Sequence, residues 1–152
     1  RNSIKTDLKL YLNFVFLMAR AIGIDYGKMR TGIAVTDPLR ICVNPLTTVH
    51  TNELNSYLES YLQAQDVDLI VFGDPYHKDG TPTELHSIIR NLAVSLSSKF
   101  PLIKIDFQDE YLTSKQAVMT LIQKGTAKNK RTKEAIDKMS AVIILQQYLN
   151  HY

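Results

Sequence analysis

Apolar and polar positions along the chain fall into two periods. Ala21 to Ile24 is an apolar run with β-branched residues, followed by Asp25-Tyr26-Gly27, and it reads as a buried strand ending in an acid and a sharp turn. Gly32 to Asp37 returns at once as a second strand, and Leu39 to Val43 is a third, with Val49 extending it past the break at Pro45. Leu54, Tyr57, Leu58, Tyr61 and Leu62 then recur at helical spacing behind Thr51 as cap. Val67 to Gly73 reads as a buried strand, and Asp74 to Gly80 as a loop of turn residues. Thr81-Pro82-Thr83-Glu84 has the form of a capping box with proline at the first helical position, ahead of an apolar face from Leu85 to Leu96. Leu102 to Phe107 is a fifth strand. Thr113 with Gln116 opens a further helix that Gly125 stops, and a basic loop from Lys124 to Lys133 leads into a last helix over about Thr132 to Leu149.

The first three strands are joined by connections too short for parallel crossovers, so they pair antiparallel. Each later strand follows a helix and joins as a parallel crossover beside the first. The expected fold class is α/β, a mixed five-stranded sheet with helices on both faces. There is no internal repeat, low-complexity tract or linker. Residues 1–17 are read as a non-native or upstream extension and 18–152 as a single domain. Leu8 to Met18 is apolar but short for a membrane span, with Lys9 and Asn13 interrupting it. Arg1 and Lys5 before it and Ala19-Arg20-Ala21 after it imitate a secretory signal, but cleavage after Ala21 would cut into the first strand.

Composition changes this picture little. The chain has 152 residues, 45% hydrophobic and 22% charged, with a net charge of +3, so no charge extreme names a partner. The single cysteine, Cys42, excludes an intrachain disulfide and a cysteine-rich zinc site. It fits a reducing, cytoplasmic setting and reads as a small core hydrophobe.

The candidate chemistry lies in the acids. Ligands of such sheets bind beyond the carboxyl ends of the parallel strands. Those ends carry Asp25, Gly73-Asp74-Pro75 and Gln108-Asp109-Glu110, and the last helix adds Asp137 in its first or second turn. Ser140 and Ala141 are small enough to bring that helix close to the sheet, with Ile136, Met139 and Ile143 as its buried face. Taken singly, Asp25 could be a strand-end aspartate serving its own turn, and Glu110 and Asp137 solvated or capping acids. Taken together they repel unless a cation lies between them, and oxygen-only ligands favour Mg2+ or Mn2+. Two such ions clamp the attacking water and leaving oxygen of a phosphodiester, with Asp25 bridging and Glu110 and Asp137 completing the set.

Four motifs carry a resemblance. They are Gly23-Ile24-Asp25-Tyr26-Gly27 with Arg30-Thr31-Gly32-Ile33-Ala34-Val35-Thr36-Asp37, then Val71-Phe72-Gly73-Asp74-Pro75, then Asp109-Glu110-Tyr111-Leu112-Thr113, and Asp137-Lys138-Met139-Ser140-Ala141 continuing to Leu145. In this order and spacing, the chain from Met18 onward resembles the YqgF (RuvX-like) family, described as Holliday junction resolvases and as pre-16S rRNA processing nucleases. The resemblance implies a ribonuclease H-like fold and Asp25, Glu110 and Asp137 as metal-binding acids. It departs at Asp74, where the family usually has leucine, and at Tyr111, where it usually has arginine. Asp74 is expected to face solvent; loss of the arginine bears on substrate affinity more than on fold.

Lys28 and Arg30 follow Asp25, and Lys124, Lys128, Lys130, Arg131 and Lys133 precede Asp137. Bases flanking the acids would hold a phosphate backbone, with Lys28, Arg30, Lys128, Lys130 and Arg131 as the substrate-binding set; equally, the loop could be plain soluble surface. Tyr26, Tyr76 and Tyr111 could stack on bases or simply pack, and His77 and His86 read as incidental. The expected function is metal-dependent endonucleolytic cleavage of structured nucleic acid, first of pre-rRNA at its 5′ end, alternatively of branched DNA. A binding factor that keeps the fold without the chemistry is the competing class, and an actin-like ATPase would need two such domains. The expected partner is nucleic acid, with no membrane, and the protein a monomer or homodimer.

Overall fold

The computed structural model describes residues 2–16, 18–110 and 113–151. Helix α1 (Asn2–Phe16) precedes β1 (Arg20–Tyr26), β2 (Arg30–Thr36) and β3 (Val43–His50). Then come α2 (Leu54–Ala64), β4 (Val67–Pro75), α3 (Leu85–Lys99), β5 (Lys104–Glu110), α4 (Thr113–Gln123) and α5 (Lys133–Leu149). The five strands lie in the order β3-β2-β1-β4-β5. β1, β2 and β3 pair antiparallel, while β4 is parallel to β1 and β5 parallel to β4. Short turns join the first three strands and helices the rest, so the expected mixed sheet forms.

Alternation along the strands gives each face its own core. On one face Ile22, Ile24, Ile33, Ile70 and Phe72 pack with Leu54 and Leu58 of α2 and Ile89, Ala93 and Leu96 of α3. On the other, Ala21, Ala34 and Val71 lie under Met139, Ala141, Val142, Ile144 and Leu145 of α5, with Ala117 and Leu121 of α4 behind. Small residues in the sheet set that second layer. A β-carbon at Gly23 would lie 2.7 Å from Leu145 Cβ and 2.8 Å from the Ala141 carbonyl. One at Gly32 would fall on the Asp137 carbonyl, 2.9 Å from Lys138 N. Backbone of α5 therefore rests directly on β1 and β2, closer than side chains of any size allow.

Several boundaries differ from the sequence reading. The third strand begins at Val43, because Asp37 accepts from the N–H groups of Leu39 and Cys42 and so closes residues 37–42 into a turn. Cys42 is exposed there rather than in the core. The helix expected from Thr81 begins at Leu85. Thr81 instead donates its hydroxyl to Asp79, and Pro82 forms a bridge with Tyr76, so residues 76–82 make a short hairpin-like finger. Thr51 opens a 3-10 turn ahead of α2 and bonds the turn after β1 rather than capping α2. β5 starts two residues late and runs on to Glu110, paired with Pro75. The stops at Gly125 and the cap at Thr132 are as expected. Gly125 and Thr126 donate back to Ile122 and Leu121 in a Schellman turn, and Thr132 accepts from Ala135 N at 3.2 Å. α1 carries exposed Ile4, Leu8, Leu10, Tyr11 and Leu12. No helix among the described residues is long and apolar enough to cross a membrane.

Candidate active site

Strand alternation decides which acids meet. Gly23 faces α5, so Asp25, two residues on, faces it as well. On β5 the α5 side carries Asp106, whose carboxylate takes the Tyr148 hydroxyl at 2.6 Å, then Gln108 and Glu110. Between them lies Gly73 of β4. A β-carbon there would sit 2.6 Å from Glu110 Oε2 and 2.5 Å from Ile144 Cδ1. Its missing side chain is the space through which the Glu110 carboxylate crosses β4 to hydrogen-bond with Asp25.

That contact governs the electrostatics. Burial first, then the negative charges of Glu110 and Asp137, hold the Asp25 carboxyl well above the ordinary carboxylate range. Burial also raises Glu110, against the lowering effect of hydrogen bonds with Asp25 and Thr113, and the charge of Asp74 raises it further. Two carboxylates in hydrogen-bond contact share a proton or accept a cation between them.

Asp137 stands in the second turn of α5, brought over β2 by Gly32, and its field reaches Asp25. Its Oδ2 is held by Arg30 Nε at 2.9 Å. So held, it does not complete a three-ligand group: no cluster of three His, Cys, Asp or Glu with metal-holding geometry occurs among the described residues. The Arg30 pair occupies one oxygen and leaves Oδ1. A donor set of oxygens only, two of them pressed together and a third beside them, fits a hard divalent cation.

The remaining candidates divide. Arg30 is spent on Asp137, and Lys28 pairs with Glu84 at 2.7 Å, tying the turn after β1 to the start of α3. Thr51 reinforces that turn by donating to the Gly27 carbonyl at 2.6 Å. Arg131 donates Nε to the Thr126 carbonyl, while Lys128 and Lys130 are exposed on a 3-10 turn. Tyr111 lies outside the described residues.

Asp74 corrects the expectation of a solvent-facing acid. It is fully buried on the α3 face of β4. His86 Nδ1 lies 2.7 Å from one of its oxygens; Arg90 Nη2 donates to the other at 2.5 Å, and the Tyr76 hydroxyl stands 3.4 Å away. Arg90 also lies over the Phe107 ring, 3.6 Å from its centroid. His86 is thus a partner of a buried carboxylate, not an incidental loop residue. Sequence reasoning missed Arg90 and Thr113. Thr113 was within reach, since it closes the third motif; nothing in the helical pattern of α3 sets Arg90 apart.

The model of the RuvX family, described as Holliday junction resolvase, matches residues 19–151. A "Putative pre-16S rRNA nuclease" of Porphyromonas gingivalis is 44% identical over 135 residues, 88% of this chain and 98% of that protein. One of the same description from Flavobacterium johnsoniae is 40% identical over 88% of this chain and 97% of that protein. Among solved structures, Thermus thermophilus RuvC superimposes with a TM-score of 0.55 at 12% identity, covering 86% of this chain and 95% of that one. RuvC in complex with a Holliday junction gives 0.53 at 14%, covering 87% and 95%. The fold is ribonuclease H-like.

Proposed function

Because the chain belongs to the RuvX family, we propose that it is a divalent-metal-dependent endonuclease. Its substrate in this reading is structured RNA, cut in 5′-end processing of pre-16S rRNA in the cytoplasm. The observation that carries it is the half-buried Asp25–Glu110 carboxylate pair at the sheet edge, with Asp137 beside it. Such a pair is costly to hold without a cation, and the family context supports spending that cost on chemistry.

Asp25, Glu110 and Asp137 would hold Mg2+ or Mn2+, which would supply an activated water and neutralise charge on the attacked phosphate and its leaving oxygen. Asp25 and Glu110 are fixed by strands and supply the rigid part of the site. Asp137 is adjustable, since Arg30 holds only one of its oxygens. In exchanging Asp137 for a phosphate oxygen, Arg30 would release the acid towards the cation as substrate binds. Thr113 keeps the Glu110 carboxylate aimed across Gly73. Lys128 and Lys130 sit ahead of α5 and hold the flanking backbone by charge, without reading sequence.

The test is cleavage of a precursor 16S fragment and of a four-way DNA junction, with Mg2+ or Mn2+, by wild type and Asp25→Asn. Wild-type cutting of the precursor that Asp25→Asn abolishes is expected. Activity unchanged by the substitution overturns the mechanism. Cutting confined to the junction would favour resolvase activity, the reading supported by the family description and by the junction bound to RuvC.

A further inference from the structure

Next to Glu110 the surface opens into a groove of about 470 Å³, lined by Tyr76, His77, Lys78, Gly80, Asp109 and Glu110. The volume is within the range of small-ligand sites. One wall is the finger, which its own hydrogen bonds brace. His77 N–H donates to Thr81 O at 2.8 Å and Gly80 N–H to His77 O at 2.9 Å, with Gly80 at φ +82. The finger is anchored to the site, since Tyr76 N–H donates to the Glu110 carbonyl at 3.3 Å. Whatever the groove holds is therefore set at a fixed offset from the Asp25–Glu110 pair.

The acids around this groove are differently committed. Glu110 is taken by Asp25 and Thr113, and Asp74 by His86 and Arg90 behind the Tyr76 wall. Asp109 is exposed, and among the described residues no hydrogen bond or ion pair engages its carboxylate. Its strand position puts it on the α3 side, beside Tyr76, whose hydroxyl the charge of Asp74, burial and the charge of Asp109 push above its ordinary value. An exposed acceptor, two rings and an exposed lysine thus share one groove.

We propose that this groove binds the base of an unpaired nucleotide next to the cleaved phosphodiester, with Asp109 reading its Watson–Crick edge and favouring guanine. This rests on the nuclease reading for its location and deepens it by naming the substrate class. A carboxylate can only accept. Guanine alone has two adjacent donors on that edge, N1–H and the N2 amino group, matching two carboxylate oxygens. Adenine and cytosine set one donor beside an acceptor, and uracil flanks one donor with two acceptors, so a second carboxylate oxygen would meet a lone pair. The edge is free only when the base is unpaired, the usual state in which proteins read RNA sequence. Tyr76 and His77 supply stacking faces, and Lys78 a phosphate contact.

The test is binding, by fluorescence anisotropy, of the full chain carrying Asp25→Asn. The probes are an oligouridine strand, the same strand with one central guanosine, and that guanosine strand annealed into a duplex. One guanosine should tighten single-strand binding about tenfold, and annealing should remove the gain. Adding Asp109→Asn should erase the preference and leave oligouridine affinity unchanged or slightly higher, as a repulsive charge is gone. Adding Lys78→Ala should weaken all strands alike. Equal affinity for the two single strands, or a preference that survives Asp109→Asn, would overturn the proposal. If wild type cuts no substrate yet guanosine preference follows Asp109, the nuclease reading falls and the groove stands. If wild type cuts efficiently with no such preference, the groove falls alone.

Discussion

Replacing Gly32 by alanine tests how the third acid is delivered. The added methyl would coincide with the Asp137 carbonyl and lie 2.9 Å from Lys138 N. These are backbone atoms of a helix, so no rotamer change relieves the overlap. Restoring ordinary contact, ~3.5 Å, requires the start of α5 to lift by roughly 1 Å or more. Overpacking of this kind costs about 2–3 kcal/mol, which for a domain of this size lowers Tm by roughly 5–10 °C. Asp137 rides on the displaced turn, and a misplacement near 1 Å costs about 10²-fold in rate. Thermal melts and single-turnover cleavage of a precursor fragment measure both. Gly125→Ala is the comparison: open space surrounds it and φ is +73, so it should cost only about 1 kcal/mol of backbone strain and leave cleavage intact. Gly32→Ala with wild-type stability and rate would refute the close seating of α5 on β2.

Other expectations follow from the same geometry. In metal-free buffer the folded Asp25–Glu110 pair binds protons more tightly than the unfolded chain does. Stability should therefore fall as pH rises from the ordinary values near 3.8 and 4.5 through the raised folded ones, then level off. Melts across pH should show this slope shrink in Asp25→Asn, and Mn2+ should raise the wild-type Tm at neutral pH more than the variant's. Arg90→Ala leaves the buried Asp74 carboxylate only His86 and the Tyr76 hydroxyl, and should cost about 3 kcal/mol in urea denaturation, the low end for breaking a buried pair. Asp74→Ala leaves Arg90, whose side chain is 42% exposed and can rehydrate, so it should cost less, about 1–2 kcal/mol. Lys128→Ala with Lys130→Ala should weaken RNA binding regardless of sequence and reduce the slope of log K against log salt by about one per lysine.

The sheet was legible because Ala21–Ile24 and Val67–Gly73 are apolar runs whose connection lengths permit one pairing direction each. The three acids were legible because strand ends and a small-residue helix put them at one edge, and the four motifs sharpened that reading. What could not be read was commitment. Asp74 and Glu110 lie in similar strand-end settings, yet alternation sends one to α3 and the other to α5. The partners that bury Asp74 lie twelve and sixteen residues away on a helix whose start the proline signal placed too early. Thr81 and Pro82 satisfy helix-start chemistry and turn chemistry equally, and the bridge to Tyr76 decides between them. Likewise Arg30 carries the charge of a phosphate ligand, but only the fold shows that it already holds Asp137.

Crystals grown with manganese, and anomalous scattering collected at its absorption edge, bear most directly on whether these acids form a metal centre. The expected result is a peak between the Asp25 and Glu110 carboxylates, at about 2.0–2.2 Å from their oxygens. Saturating manganese that leaves those two carboxylates still bonded to each other, with no peak between them, would contradict it.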